Sequence, residues 1–134
     1  MQQYNRREFI ATASLLAATP LINDKMSNNT AASKLVHHVF FWLKNPGSET
    51  DRNQLIEGLK TLKAIKEVKQ LLIGKPASTE KREVVDNSFD VSELMYFDNV
   101  EGQNAYQVHA VHKAFVDKYS HLWDKVIVYD MQVL

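Results

Sequence analysis

The stretch that decides the fold is Leu35-Val-His-His-Val-Phe-Phe-Trp-Leu43, in which every side chain except the two histidines is apolar. β-branched and aromatic residues are enriched in strands, and a short apolar run that ends at turn residues is typical of a strand buried on both faces. The turn sequence Asn45-Pro46-Gly47 follows directly. We therefore predict a strand over residues 35–43 that is largely covered on both sides.

A helix is predicted after this strand. Ser48 or Thr50 is a suitable N-cap, and apolar residues recur at helical spacing from Leu55 to Leu62. Gly58 lies inside this helix and predicts a close packing contact, since glycine costs about 1 kcal/mol against alanine there. The remaining chain predicts a strand over Val68–Ile73, a polar loop over Ala77–Asn87, a strand over Phe89–Phe97, a helix over Val100–Tyr119 and a strand over Lys125–Val133.

This β-α-β-β-α-β order predicts an α+β, ferredoxin-like domain, with an antiparallel sheet and two helices on one of its faces. Apolar residues occupy both alternating sets of positions in the first and last strands. The sheet face without helices would then be an exposed apolar surface, and surfaces of that kind mark interfaces. The expected partner is a second copy of the chain, packed through this sheet face as a homodimer.

The N-terminal residues resemble an export signal. Paired arginines, Arg6 and Arg7, directly precede the apolar run Phe9–Ala18, which is too short to span a bilayer as a helix. This pattern is similar to a twin-arginine signal. We predict a signal over residues 1–22, a polar linker over 23–33 and one domain over 34–134. The protein would be periplasmic or extracellular, without a stable membrane anchor after signal removal; the alternative is a cytoplasmic protein.

Composition excludes several classes of function. Sixteen basic residues balance sixteen acidic ones, so no overall positive field would attract nucleic acid. The chain contains no cysteine, which excludes disulfides, thiolate metal sites and a cysteine nucleophile. We expect no nucleic-acid partner and no cofactor.

The candidate site is the segment Tyr106-Gln-Val-His109-Ala-Val-His112-Lys-Ala-Phe115. On a continuous helix the two histidines would project to the same side, one turn beyond the tyrosine. Such a cluster is compatible with an acid–base site, part of a metal site, or a polar seam in the core. Two histidines that bind zinc on a helix favour a spacing of four with an intervening glutamate. A metal site is therefore the least favoured of the three interpretations, and no metal ligand is assigned.

Three segments resemble the stress-responsive α/β-barrel domain (Dabb) family. His38-Val-Phe-Phe-Trp-Leu-Lys44 is similar to its first strand, and the segment from Tyr106 to Phe115 resembles its helical signature Tyr-x-x-His-Pro-x-His-x-x-Phe. The stretch from Tyr119 to Asp130 resembles the closing strand. The family proline between the histidines is replaced by Ala110, which predicts a less irregular helix here.

The resemblance implies a dimeric α/β barrel with a small-molecule cavity between the sheet and the helices. In a plant polyketide cyclase of the family, the tyrosine and the second histidine of the signature carry the chemistry, and these match Tyr106 and His112. Because neighbouring strand residues point to opposite faces, only one of His37 and His38 can face the cavity, and the family match favours His38. The predicted ligand-binding residues are His38, Tyr106, His109 and His112.

Two functions follow from this sequence. The preferred one is an exported homodimer that binds a small apolar or carbonyl ligand without an established reaction. The alternative is a cofactorless lyase or cyclase of an enolisable carbonyl compound. There His112 would act as general base and Tyr106 as the acid or orienting group.

Overall fold

The computed structural model of the protein describes residues 34–134, so the predicted signal and linker lie outside the described residues. The elements are β1 (Leu35–Leu43), α1 (Glu49–Thr61), β2 (Gln70–Gly74), β3 (Val91–Phe97), α2 (Val100–Gln107), α3 (Ala110–Tyr119) and β4 (Trp123–Gln132). Short 3-10 turns follow α1 and α3. None of the helices in this part of the chain is long and apolar enough to cross a membrane.

The four strands form one antiparallel sheet in the order β2-β3-β1-β4. The predicted ferredoxin-like α+β fold is confirmed, and β1 has the predicted bounds. β1 pairs with β3 on one side and with β4 on the other. Its helix-facing side chains are buried, but His38, Phe40 and Trp42 on the other face are partly exposed, so the prediction that both faces are covered is wrong for the single chain. The other predicted strands differ from the observed ones by one to two residues at their ends, where assignments commonly vary.

The core lies between the sheet and the helices. Alternation along β1 directs Leu35, Val39 and Phe41 to the helical side, and all three are buried. Their partners from the other elements are fully buried, with no exposed surface: Leu55, Leu59, Leu62, Ile65, Val91, Met95 and Phe97. The opposite sheet face has no helix, and it leaves Leu72, Tyr129 and Met131 exposed.

The first helix begins and packs as its sequence predicts. Ser48 is the N-cap, and its side chain accepts a hydrogen bond from the Asp51 N–H at 3.3 Å. Gly58 is buried against Tyr119 of α3, and a Cβ atom at this position would lie 2.6 Å from the tyrosine ring. The glycine therefore permits the close approach of α1 and α3.

The predicted continuous helix over residues 100–119 is wrong. The structure contains two helices, α2 and α3, separated at Val108 and His109, and His109 has the extended backbone of an N-cap (φ −66°, ψ 141°). Ala110 stands where the Dabb signature has a proline, yet the helix is still interrupted, because the His109 side chain caps the next helix. Its Nδ1 accepts a hydrogen bond from the Val111 N–H at 3.0 Å.

Candidate functional site

A pocket of about 380 Å³ opens between the helical face of the sheet, the α2–α3 junction and β4. This volume is in the range of small-molecule sites. Its apolar walls are Val39, Phe41, Phe115, Val116, Trp123, Val126 and Val128. Its polar side chains are His37, Glu93, Gln103, Tyr106, Gln107, His112 and Asp130. Apolar walls with a few convergent polar groups are typical of a site that orients a small ligand.

Tyr106 lies at the centre of the polar side of the pocket. Its ring is almost fully buried and contacts Phe97 at a centroid distance of 5.3 Å, His112 at 4.6 Å and His37 at 5.7 Å. Burial, together with the nearby carboxyl of Glu93, raises the pKa of Tyr106 well above its ordinary value. The phenol therefore stays protonated at physiological pH and can act as a hydrogen-bond donor.

The helix interruption fixes the orientation of His112. In a continuous helix the Gln107 carbonyl would accept a hydrogen bond from the Val111 N–H, but His109 accepts that bond instead. The freed carbonyl lies 3.1 Å from His112 Nδ1. A carbonyl oxygen only accepts hydrogen bonds, so Nδ1 of His112 carries the proton and donates a hydrogen bond to it. Nε2 of the neutral ring therefore has a free lone pair.

The protonation state of His112 follows from its surroundings. Partial burial lowers its pKa, the hydrogen bond to Gln107 opposes that change, and the nearby His37 lowers it further. The imidazole is therefore neutral near pH 7, with Nε2 able to accept a proton. Tyr106 and His112, which the sequence predicted as the chemical pair, thus lie together in the pocket.

His109 does not line the pocket. Its Nδ1 accepts the capping hydrogen bond at the start of α3, so it shapes the α2–α3 junction that positions His112. The expectation that His109 and His112 project from the same side of one helix is wrong, because His109 precedes the helix that carries His112.

The expectation that His38 faces the cavity is also wrong. His37 lines the pocket, while the ring of His38 packs beside Phe40 on the other sheet face, and its Nε2 lies 2.8 Å from Ser92 Oγ. Both alternating sets of β1 positions are apolar, so the sequence pattern alone did not show which histidine points to the helices. The register pairs His37 with Asp130, and that pairing decides it.

His37 and Asp130 form an oriented pair. His37 Nδ1 lies 2.5 Å from Asp130 Oδ1, and the histidine side chain is buried while the aspartate side chain is 48% exposed. A carboxylate in this position accepts a hydrogen bond from Nδ1–H and so fixes the orientation of the His37 ring. The pair brings a second imidazole to the pocket, one that sequence reasoning did not place there.

Glu93 is the other pocket residue that sequence reasoning missed. It is 2% exposed, and its Oε2 has no hydrogen-bond partner among the described residues. Burial raises the pKa of Glu93 to about 8, so its carboxyl is largely protonated at neutral pH. A signal was present in the sequence: Val91, Glu93, Met95 and Phe97 share one face of β3, and only one of the four is polar.

Within residues 34–134, no group of three or more histidine, aspartate or glutamate side chains is arranged to hold a metal ion. The pocket lining also contains no lysine or arginine. The titratable side chains that line the pocket are two imidazoles, one phenol and two carboxyl groups.

The sequence profile of the stress-responsive A/B barrel domain, Dabb, matches residues 35–133, which is most of the chain. The chain belongs to the Dabb family. The predicted family membership is thus confirmed, and the matched region contains every element of the Dabb domain described above.

Several solved structures are similar to this Dabb domain. A Dabb family protein with a ferredoxin-like fold from Mesorhizobium loti is 22% identical, with a TM-score of 0.62, and the match covers 76% of this chain and 98% of that one. A dimeric ferredoxin-like protein of unknown function from Thermobifida fusca is 18% identical, with a TM-score of 0.62 and coverage of 80% and 97%. Hydroxynitrile lyase from Passiflora edulis is 19% identical, with a TM-score of 0.64 and coverage of 77% and 95%.

At these identities the similarity establishes the fold and no shared activity. No curated protein matches the sequence of this Dabb protein significantly.

Proposed function

We propose that this Dabb protein binds a small carbonyl compound in its pocket and catalyses proton transfer at that compound without a cofactor. The observation that carries the proposal is the position of a neutral imidazole beside a buried phenol in an apolar-walled pocket, with ring centroids 4.6 Å apart. A base near neutral pH and a donor for the oxygen that gains charge are the two groups that enolisation requires.

His112 is assigned as the base. Its Nδ1–H is held by the Gln107 carbonyl, so the lone pair of Nε2 is available to take a proton from the carbon next to the carbonyl. The electrons of the broken C–H bond move into the carbonyl, whose oxygen becomes an enolate oxygen. Tyr106 donates a hydrogen bond to this oxygen, and its raised pKa keeps it protonated while the charge develops.

His37 is assigned a supporting role on the same substrate. Asp130 orients its imidazole and stabilises the positive charge that forms when it accepts a proton. The proton that His112 removes can return from Nε2 of His112 to the same carbon, and the oriented imidazole of His37 offers a second acceptor for a different proton of the substrate, such as that of a hydroxyl group. A hydroxynitrile lyase has a similar fold, so this fold is compatible with a lyase.

The test is exchange of the methyl protons of acetophenone with deuterated water, followed by NMR at pH 7. The wild-type protein should accelerate exchange above buffer, and His112→Ala should lose about 10²-fold or more of that acceleration, as loss of a general base does. Tyr106→Phe should also slow exchange, because the enolate oxygen loses its donor. His121→Ala, a change at an exposed histidine outside the pocket, should leave the rate unchanged.

The outcomes separate the two candidate functions. If acetophenone binds in the pocket but its exchange is no faster than in buffer, the protein is a binding protein without this reaction. If exchange is accelerated equally by the wild type and His112→Ala, the assignment of the base is wrong.

We propose that the protein is a homodimer joined through the sheet face without helices. Similar solved structures are described as dimeric, and this face leaves Tyr129 65%, Met131 55% and Leu72 52% exposed. Sedimentation at micromolar concentration should give the mass of a dimer, and Met131→Asp should shift it toward the monomer. A wild-type monomer under these conditions would refute the proposal.

We also propose that the protein is exported. The support is the sequence of residues 1–22, with paired arginines before a short apolar run. Fractionation of expressing cells should place the protein outside the cytoplasm, and Arg6→Lys with Arg7→Lys should retain it inside. A cytoplasmic wild-type protein of full length would contradict export.

A further inference from the structure

An uncompensated carboxyl group lies in the pocket. Glu93 sits on β3 between Val39 of β1 and Ile73 of β2, at a position where every other helix-facing residue of its strand is apolar. Its Oε2 is inaccessible to solvent and has no hydrogen-bond partner among the described residues. An unsatisfied buried polar group is destabilising, and a leucine at this position would avoid that cost. Glu93 also lines the pocket, and rotation of its carboxyl group toward the cavity would let a ligand group supply the missing partner.

The charges around Glu93 restrict what that ligand can be. The titratable groups facing the pocket are His37 on β1, Tyr106 on α2, His112 on α3 and Asp130 on β4. No lysine or arginine lines it, and the Asp130 carboxylate is already paired with His37. An anionic ligand would therefore enter a site that contains two carboxyl groups and no lysine or arginine to pair with it, which is unfavourable.

We propose that Glu93 selects a neutral, oxygen-bearing ligand, a ketone, aldehyde or alcohol, by donating a hydrogen bond from its carboxylic acid, and that the pocket rejects carboxylates. This inference rests on the proposed function because it concerns the ligand of the same pocket. It extends that function by assigning the charge of the ligand and by naming a residue that neither the sequence motif nor the Tyr106–His112 pair includes.

The selection depends on pH in a definite direction. Burial raises the pKa of Glu93 to about 8, so the donor is present below that pH and is lost above it. Apparent affinity scales with the fraction of protein in the binding-competent form. Between pH 7 and pH 9 that fraction falls about tenfold, and the affinity for a neutral ligand should fall by the same factor.

The experiment compares three probes of similar size and different charge: acetophenone, benzoate and benzylamine. Each is titrated into the purified protein at pH 7.5 and followed by NMR chemical shifts, with shifts of His112 and Phe115 locating the probe in the pocket. Acetophenone should bind at least tenfold more tightly than benzoate or benzylamine. Its affinity should then fall about tenfold between pH 7 and pH 9.

Two variants isolate the carboxyl. In Glu93→Gln the amide is a donor at every pH, so acetophenone should still bind and the dependence on pH above 7 should disappear. Glu83→Gln, which changes an exposed glutamate in the loop before β3, should behave like the wild type. The pH series on the wild type tests the proposal even if Glu93→Gln does not fold.

Each remaining outcome overturns a defined claim. If benzoate binds as tightly as acetophenone, the pocket does not reject anions. If benzylamine binds most tightly, the pocket selects cations. Either result refutes the role given to Glu93. If acetophenone binds with an affinity independent of pH between 7 and 9, Glu93 is not its donor, while the proposed function stands. If acetophenone does not bind at all, both this inference and the proposed function fail.

Discussion

Replacing Glu93 by glutamine should change how stability depends on pH. In the unfolded chain a glutamate has a pKa of 4.5, and in the folded protein burial raises the pKa of Glu93 to about 8. Between these two values the unfolded state has released a proton that the folded state retains. The stability contributed by the protonated carboxyl is therefore fully present below pH 4.5 and is lost as the pH rises toward 8.

The magnitude follows from the size of the shift. Each pH unit within this window removes about 1.4 kcal/mol from the free energy of unfolding. Between pH 5 and pH 8 the wild type should lose about 3 to 4 kcal/mol relative to Glu93→Gln, because the amide does not titrate. Taking the difference between the two proteins at each pH removes the contributions of other groups, such as His112 and His38, whose lowered pKa values act below pH 6.5.

The assay is urea unfolding at pH 5, 6, 7 and 8, at one fixed protein concentration, since the stability of a dimer depends on concentration. Glu83→Gln is the matched control and should follow the wild type at every pH. A difference between the wild type and Glu93→Gln that stays constant within about 1 kcal/mol across the series would show that Glu93 is ionised in the folded protein. The account of a protonated carboxyl in the pocket would then be wrong.

Three further changes test the architecture around the site. His109→Ala removes the N-cap of α3 and should lower the unfolding free energy by about 0.5–2 kcal/mol, and the change in chemical shift of the His112 ring should show that its position has altered. An unchanged His112 signal would contradict the link between the two histidines. Gly58→Ala places a Cβ atom 2.6 Å from the Tyr119 ring. It should lower the free energy of unfolding, measured by chemical denaturation, by about 1–2 kcal/mol, because the cost of overpacking exceeds the gain in helix propensity. A stabilised variant would refute the close contact. Asp130→Asn keeps an acceptor for His37 but removes the charge, so exchange of acetophenone should slow about tenfold or more with little change in melting temperature, whereas an unchanged rate would exclude a role for the pair.

The fold was predictable from the sequence because each strand and helix carries its own local signal. The apolar run of β1 and its turn at Asn45–Gly47 define a strand without reference to the rest of the chain, and Ser48 marks the start of the next helix. The order of such elements leaves few topologies, and the ferredoxin-like one is observed.

Parts of the site depend on contacts that a local pattern does not contain. The α2–α3 break requires the His109 side chain to replace a backbone acceptor, and helical periodicity continues through it unchanged. Whether His37 or His38 faces the pocket depends on which of two neighbouring residues points to the helices. The strand register, which pairs His37 with Asp130, decides this. The pairing of Tyr106 with His112 was predicted because the resemblance to the Dabb helical signature singles out these two residues.

The most direct test of the account is the rate of proton exchange in acetophenone measured side by side for the wild-type protein and His112→Ala at pH 7. Exchange should exceed the buffer rate for the wild type and should lose about 10²-fold or more of that acceleration in the variant, while both proteins bind acetophenone in the pocket. Equal rates for the two proteins would contradict it, because the pocket would then contain no base at Nε2 of His112.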